Sequence, residues 1–161
     1  MKFNHDEVFE MAEELERNGA RFYRQGADQA EDESARELML RLAAMEDEHE
    51  KLFARMRAEF GPEPTYDPEG EGVRYLHSIM EGQVFPTDTT RTLAGDEDLQ
   101  TVLKRAIGFE KDAILLFQSL KSVVSTDEDK ARIESLVMEE VGHVVMLRGE
   151  LQRVRREGGA A

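Results

Sequence analysis

The sequence contains no cysteine. Disulfides, thiolate nucleophiles and sulfur-ligated metals are therefore excluded, and cysteine usage says nothing about redox compartment. Proline is scarce: Pro62, Pro64, Pro68 and Pro86 are the only four, and all lie between residues 61 and 95. The remainder is free of the strongest helix breaker, which favours long helices. Positive charge is also in deficit, with 21 Lys and Arg against 35 Asp and Glu, a formal net charge of −14. Such a surface repels DNA phosphate and anionic lipid, so neither nucleic acid nor membrane is an expected partner. No window approaches a membrane span, and Met1 to Glu10 lacks the apolar core of a signal peptide, so the expected location is the cytoplasm.

What is present is a chain of 161 residues, 40% apolar and 35% charged. That balance predicts one helical domain over residues 1–161 with a substantial core. Apolar residues recur at helical spacing in four stretches. A first helix is expected over about 6–30, with Phe9, Ala12, Gly19 and Tyr23 inward and Val8, Leu15 and Phe22 beside them. A second is expected over 34–60, with Met39, Leu42, Met45, Phe53, Met56 and Phe60 as its stripe, stopped by Gly61-Pro62. A third spans about 96–122, capped by Asp96, with Leu99, Leu103, Ala106, Ala113, Phe117 and Leu120 inward. A fourth spans 126–157, opened by Thr126 and Asp129 and ended by Gly158-Gly159, with Ile133, Leu136, Leu147 and either Leu151 or Val154 inward. Short links make each pair an antiparallel hairpin. The segment of about 61–95, with a short helix near Val73 to Met80, is a long crossover that lets the third helix start at the other end of an antiparallel four-helix bundle.

Each stripe is interrupted by charge. The inward positions include Glu16 on the first helix, Glu46 and His49 on the second, Glu110 on the third, and Glu140 and His143 on the fourth. A buried, uncompensated carboxylate costs several kcal/mol or is driven to protonate. Four at similar depth also repel one another, and no Lys or Arg occupies an inward position to balance them. Metal cations would.

The spacing is sharper still. Glu46 with His49, and Glu140 with His143, are both Glu-x-x-His, and residues three apart share a helix face. Adding 94 to Glu16, Glu46 and His49 gives Glu110, Glu140 and His143. The same offset carries Ala12 to Ala106, Tyr23 to Phe117, Leu42 to Leu136 and Phe53 to Leu147. Two hairpins each supply one lone Glu and one Glu-x-x-His, giving four carboxylates and two imidazoles. The bland alternative is a buried polar network without metal. For other residues the bland reading prevails. His5 and His77 lie outside the stripes, Tyr23 and Phe117 are core packing, the methionines fill gaps, and Arg153 to Arg156 face the end of the fourth helix dipole.

Glu16-x-x-Gly19-x-x-Phe22-Tyr23, Glu46-x-x-His49, Ala106-Ile107-x-x-Glu110-Lys111 and Glu139-Glu140-x-x-His143 resemble the rubrerythrin branch of the ferritin-like superfamily. The resemblance covers all four helices. It implies a diiron centre with Glu16 and Glu110 as lone carboxylate ligands, with Glu46 and His49 serving mainly one iron and Glu140 and His143 the other, some carboxylates bridging. Without cysteine the chain has no rubredoxin-type iron site, and Ala113 stands where rubrerythrins can carry a further carboxylate. The likeness is thus to short, single-domain members.

Hard oxygens with two imidazoles suit two iron ions cycling between Fe2+ and Fe3+, with Mn or Zn as possible occupants. The leading expectation is a non-haem diiron oxidoreductase that reduces hydrogen peroxide or dioxygen, a peroxidase or oxidase fed by an external electron donor. The alternatives are a ferroxidase or iron-storage protein, a diiron hydroxylase, and a metal-stabilised module without catalysis. Tyr23 is a candidate to donate its hydroxyl to a ligand. A homodimer is expected, with Val8, Phe60 or Tyr75 as candidate surface residues.

Overall fold

The computed structural model describes residues 5–60, 98–121, 124 and 126–158. Among these, the regular elements are four helices: α1 His5–Gln29, α2 Glu33–Phe60, α3 Leu99–Leu120 and α4 Asp127–Gly158. The crossover, with the short helix expected near Val73 to Met80, lies outside the described residues, as do Tyr75 and His77.

The starts of α2, α3 and α4 are set by side chains that satisfy orphan amides of the first turn. Asp32 Oδ1 accepts from the Ala35 amide at 2.8 Å to open α2. Asp98 Oδ1 accepts from the Thr101 amide at 2.9 Å to open α3, and its other oxygen accepts from the Thr101 hydroxyl. The cap is thus Asp98, two residues beyond the expected Asp96, which lies outside the described residues; both acids read alike in sequence. Thr126 Oγ1 accepts from the Asp129 amide at 3.1 Å, and its hydroxyl donates to the Asp129 carboxylate, so α4 opens on the pair expected.

Helix directions follow from the ion pairs that join them. Asp6, Arg17 and Arg24 of α1 meet Arg57, Glu50 and Asp47 of α2, so residue numbers rise on one helix as they fall on the other. Lys121, the cap at the end of α3, meets Glu134 near the start of α4, so α4 turns back along α3 as a hairpin. Between hairpins, Glu59 and Asp32 beside α2 meet Arg132 and Arg153 of α4. Helices α2 and α4 are thus antiparallel, and α2 and α3 run the same way. A chain leaving α2 must return the length of the bundle, on the order of 40 Å for a helix of this size, before α3 can begin.

Phe9, Leu15, Tyr23, Leu42, Phe53, Leu103, Phe117, Ile133, Leu136 and Leu147 are all buried in one cluster. Phe53 of α2 touches Phe9 of α1 and Phe117 of α3, with ring centroids 6.4 and 4.9 Å away. Each such side chain contributes about 1.5–3 kcal/mol through burial. Phe53 lies one turn beyond His49, and Phe9 and Phe117 lie about two turns from Glu16 and Glu110, so the stack closes one end of the charged layer. Met45 and Val154, counted as inward by spacing, are only half-buried, whereas Leu151 is buried. Val8, offered as a dimer surface, is 1% exposed, because α1 turns that edge into the core as well.

Candidate metal centre

The four stripes bring Glu16, Glu46, His49, Glu110, Glu140 and His143 together near the middle of the bundle, each at most 3% exposed. The Glu-x-x-His pairs stack one above the other on α2 and α4, which places the two imidazole rings face to face, centroids 5.6 Å apart and 15° from parallel.

His49 Nδ1 lies 2.8 Å from Glu140 Oε1, 3.4 Å from Glu46 Oε2 and 3.5 Å from Glu16 Oε2. His143 Nδ1 lies 2.8 Å from Glu140 Oε2, 3.2 Å from Glu46 Oε1 and 3.6 Å from Glu110 Oε1. Glu46 and Glu140 therefore turn one oxygen toward each imidazole, while Glu16 and Glu110 each serve one side. Two groups of donor atoms result, Glu16, Glu46, His49 and Glu140, and Glu46, Glu110, Glu140 and His143, each with its atoms within 4.8 Å of one another. The expectation gave Glu46 and Glu140 mainly to one side each with some carboxylates bridging; here both carboxylates face both imidazoles.

The remaining buried carboxylates provide a control. Glu13 is met by Arg57, Asp129 by Arg132 and Glu150 by Arg153. Arg153 is thereby committed to Glu150, Asp32 and Glu157 rather than to a helix dipole alone. No Arg or Lys reaches the six-residue cluster among the described residues. Both oxygens of Glu16 and of Glu140, Glu46 Oε1, and Nδ1 of both histidines are buried without an aligned hydrogen bond. Short separations without hydrogen-bond alignment mean that these atoms converge on common points rather than on one another. Orphaned donors of this kind are rare in folded proteins and fit a metal ion.

The electrostatics agree. Burial, then the neighbouring Glu46, push the Glu16 and Glu110 carboxyls well above the ordinary range. Burial acts the same way on Glu46, but contacts with Glu16, His143 and His49 outweigh it and hold that group well below. Burial also works to raise Glu140, and contacts with the two histidines reverse it. Burial alone would depress both imidazoles; instead Glu140, Glu16 and Glu46 hold His49 far up, and Glu110, Glu140 and Glu46 push His143 up to about 12. Without a metal, two imidazolium groups supply the cations that the carboxylates demand. A buried Glu/His cluster of this charge is suited to metal ions.

Tyr23 is fully buried, and its hydroxyl donates to Glu110 Oε1. Burial, then Glu110, keep the phenol protonated. The core-packing reading of Tyr23 is therefore incomplete, since the same side chain packs and fixes a carboxylate. Sequence reasoning overlooked Glu139. Its Oε2 lies 3.1 Å from His49 Nε2, behind the ring as seen from the carboxylates. The signal was available, because Glu139 immediately precedes Glu140.

A family model described as Rubrerythrin matches residues 7–151. No curated protein matches the chain in sequence. Among solved structures, a Thermotoga maritima protein described as ferritin-like and diiron-carboxylate superposes with a TM-score of 0.73 at 22% identity, over 94% of this chain and 97% of that one. A hypothetical protein from Pyrococcus furiosus superposes with a TM-score of 0.69 at 24% identity, over 93% of this chain and 89% of that one. At these identities the likeness speaks for the fold: an all-α, ferritin-like four-helix bundle of two paired hairpins.

Proposed function

This chain belongs to the rubrerythrin family, and on that premise we propose that it is a non-haem diiron oxidoreductase that reduces hydrogen peroxide or dioxygen with electrons from an external donor. The observation that carries the reading is the pair of donor groups sharing Glu46 and Glu140. Glu46 and Glu140 would be shared by the two metal ions, with Glu16 and His49 as the further ligands of one and Glu110 and His143 of the other. Two bound irons would supply one electron each, matching the two-electron reduction of one hydrogen peroxide and two protons to two waters.

The protein's part is placement and exclusion. Tyr23 fixes the orientation of Glu110 through its hydroxyl. Phe53, Phe117 and Leu147 close the apolar side, so charge held in the centre is poorly screened by water. An external donor is part of the reading because a chain without cysteine offers no iron–sulfur relay. A cytoplasmic homodimer also belongs to the proposal. Met138, Val141 and Val145 leave an exposed apolar stripe on α4, and sedimentation analysis tests that state directly.

The deciding experiment is anaerobic loading with Fe2+ followed by addition of peroxide or dioxygen. Two irons per chain and an oxidant-dependent rise in near-ultraviolet absorbance are expected. Iron-loaded protein whose spectrum ignores both oxidants would overturn the proposal.

A further inference from the structure

The two imidazoles occupy matched positions but have unmatched backs. His49 Nε2 lies 3.1 Å from Glu139 Oε2, a carboxylate whose side chain is 49% exposed. His143 Nε2 is buried and has no hydrogen-bond partner among the described residues. The offset that relates the halves explains the difference. Subtracting 94 from Glu139 gives Met45, so the residue preceding Glu-x-x-His is an acid in one hairpin and a thioether in the other. Because α2 and α4 face each other, the residue before one motif supports the histidine of the other. His49 on α2 therefore receives Glu139 from α4, while the corresponding position opposite His143 is methionine, a poor acceptor.

We propose that Glu139 is a positioning residue that fixes the tautomer of His49 and makes the two metal positions unequal, the His49 side binding more tightly. The inference rests on the six-residue metal site argued above. An imidazole that gives Nδ1 to a metal must carry its proton on Nε2. At His49 that proton is received by Glu139, and the ring presents its Nδ1 lone pair to Glu16, Glu46 and Glu140. At His143 the same tautomer buries an N–H with no acceptor among the described residues. The competing tautomer keeps the proton on Nδ1, 2.8 Å from Glu140 Oε2, where it blocks the metal. Filling the His143 side therefore strands a donor, and filling the His49 side does not. A carboxylate behind a ligating imidazole changes metal affinity by about ten- to a hundredfold.

The test is a Co2+ titration of chelator-stripped protein, followed by visible absorbance, with melting of the metal-free form as a structural control. Wild type should fill in two steps of different affinity. Glu139→Leu should weaken the first step by about ten- to a hundredfold and spare the second, while the metal-free form, though it loses an acceptor for His49, still melts cooperatively. Glu139→Gln, which keeps an oxygen acceptor, should fall between wild type and Glu139→Leu. Met45→Glu should tighten the second step. Equal steps in wild type, or a Glu139→Leu variant that alters neither step or both alike, would overturn the positioning role. Wild type that takes up no Co2+ would overturn the metal site itself, so the two failures are distinguishable.

Discussion

The hairpin α1–α2 and the hairpin α3–α4 present the same three charged residues to the centre, yet they hold them differently. The first contributes Tyr23, whose hydroxyl reaches across to Glu110; the second has Phe117 at the matched position, which packs and cannot donate. The second contributes Glu139 behind His49; the first has Met45. Each hairpin thus supports a residue of the other. The donor atoms obey the pseudo-two-fold relation while their supports do not, which teaches that matching ligands is not enough to make two halves of a site equivalent.

The largest expected effect separates shared from unshared carboxylates. Glu46→Ala and Glu140→Ala each remove an oxygen from both donor groups and should abolish binding of both ions, whereas Glu16→Ala and Glu110→Ala should lose one. Metal analysis after reconstitution decides this, with His77→Ala as a control that should retain both. Equal iron in all five would end the assignment.

The apolar stack should be as sensitive in one hairpin as in the other. Phe53→Ala and Phe117→Ala, both fully buried, should each cost about 3–5 kcal/mol in denaturant unfolding of the metal-free protein. A cost confined to one would show that the core is not shared.

pH acts on both hairpins through the metal-free centre. Glu16, Glu110, His49 and His143 all have raised folded pKa values, so their contribution is present below the ordinary values of 4.5 and 6.5 and is lost as pH rises through the folded values, about 12 for His143. Glu46 and Glu140 are depressed, so theirs is present above 4.5 and lost as pH falls below it. The stripped protein should therefore melt highest near pH 4.5, lose stability above it as Glu16 and Glu110 are forced to ionise, and lose more above 6.5. Metal binding displaces protons, so the gap between loaded and stripped melting temperatures should widen toward alkaline pH. A gap constant from pH 6 to 9, roughly, would contradict this balance of charge.

Smaller changes probe the supports. Tyr23→Phe makes the first hairpin resemble the second and removes one buried donor, at about 1–3 kcal/mol. Chemical unfolding measures it, and no loss would mean that Glu110 finds another donor. Asp98→Ala and Thr126→Ala should each cost about 1 kcal/mol by uncapping α3 and α4. A cost at Asp98 near zero would return the start of α3 to Asp96.

Periodicity made the helices, the hairpins and the six charged residues legible. Glu-x-x-His at i and i+3 is a local statement about one helix face, and the offset of 94 needed only counting. The start of α3 was misplaced because two acids in one short stretch satisfy the same sequence rule. Met45 read as inward because a 3.6-residue period places edge and centre of a stripe only one residue apart. Glu139 was passed over because its position on α4 faces outward by periodicity, and its partner lies on another helix.

The sequence by itself determined that four helices form, that each turns carboxylates inward, and that their charge needs cations, because these follow from spacing along one chain and from the cost of burying charge. Only the tertiary structure decided that Glu46 and Glu140 each face both imidazoles, that Tyr23 secures Glu110, and that Glu139 backs His49 while His143 has no counterpart among the described residues. Those choices depend on the rotation and rise of each helix against its neighbours, which the packing of Phe9, Phe53 and Phe117 sets across hairpins and no local pattern encodes.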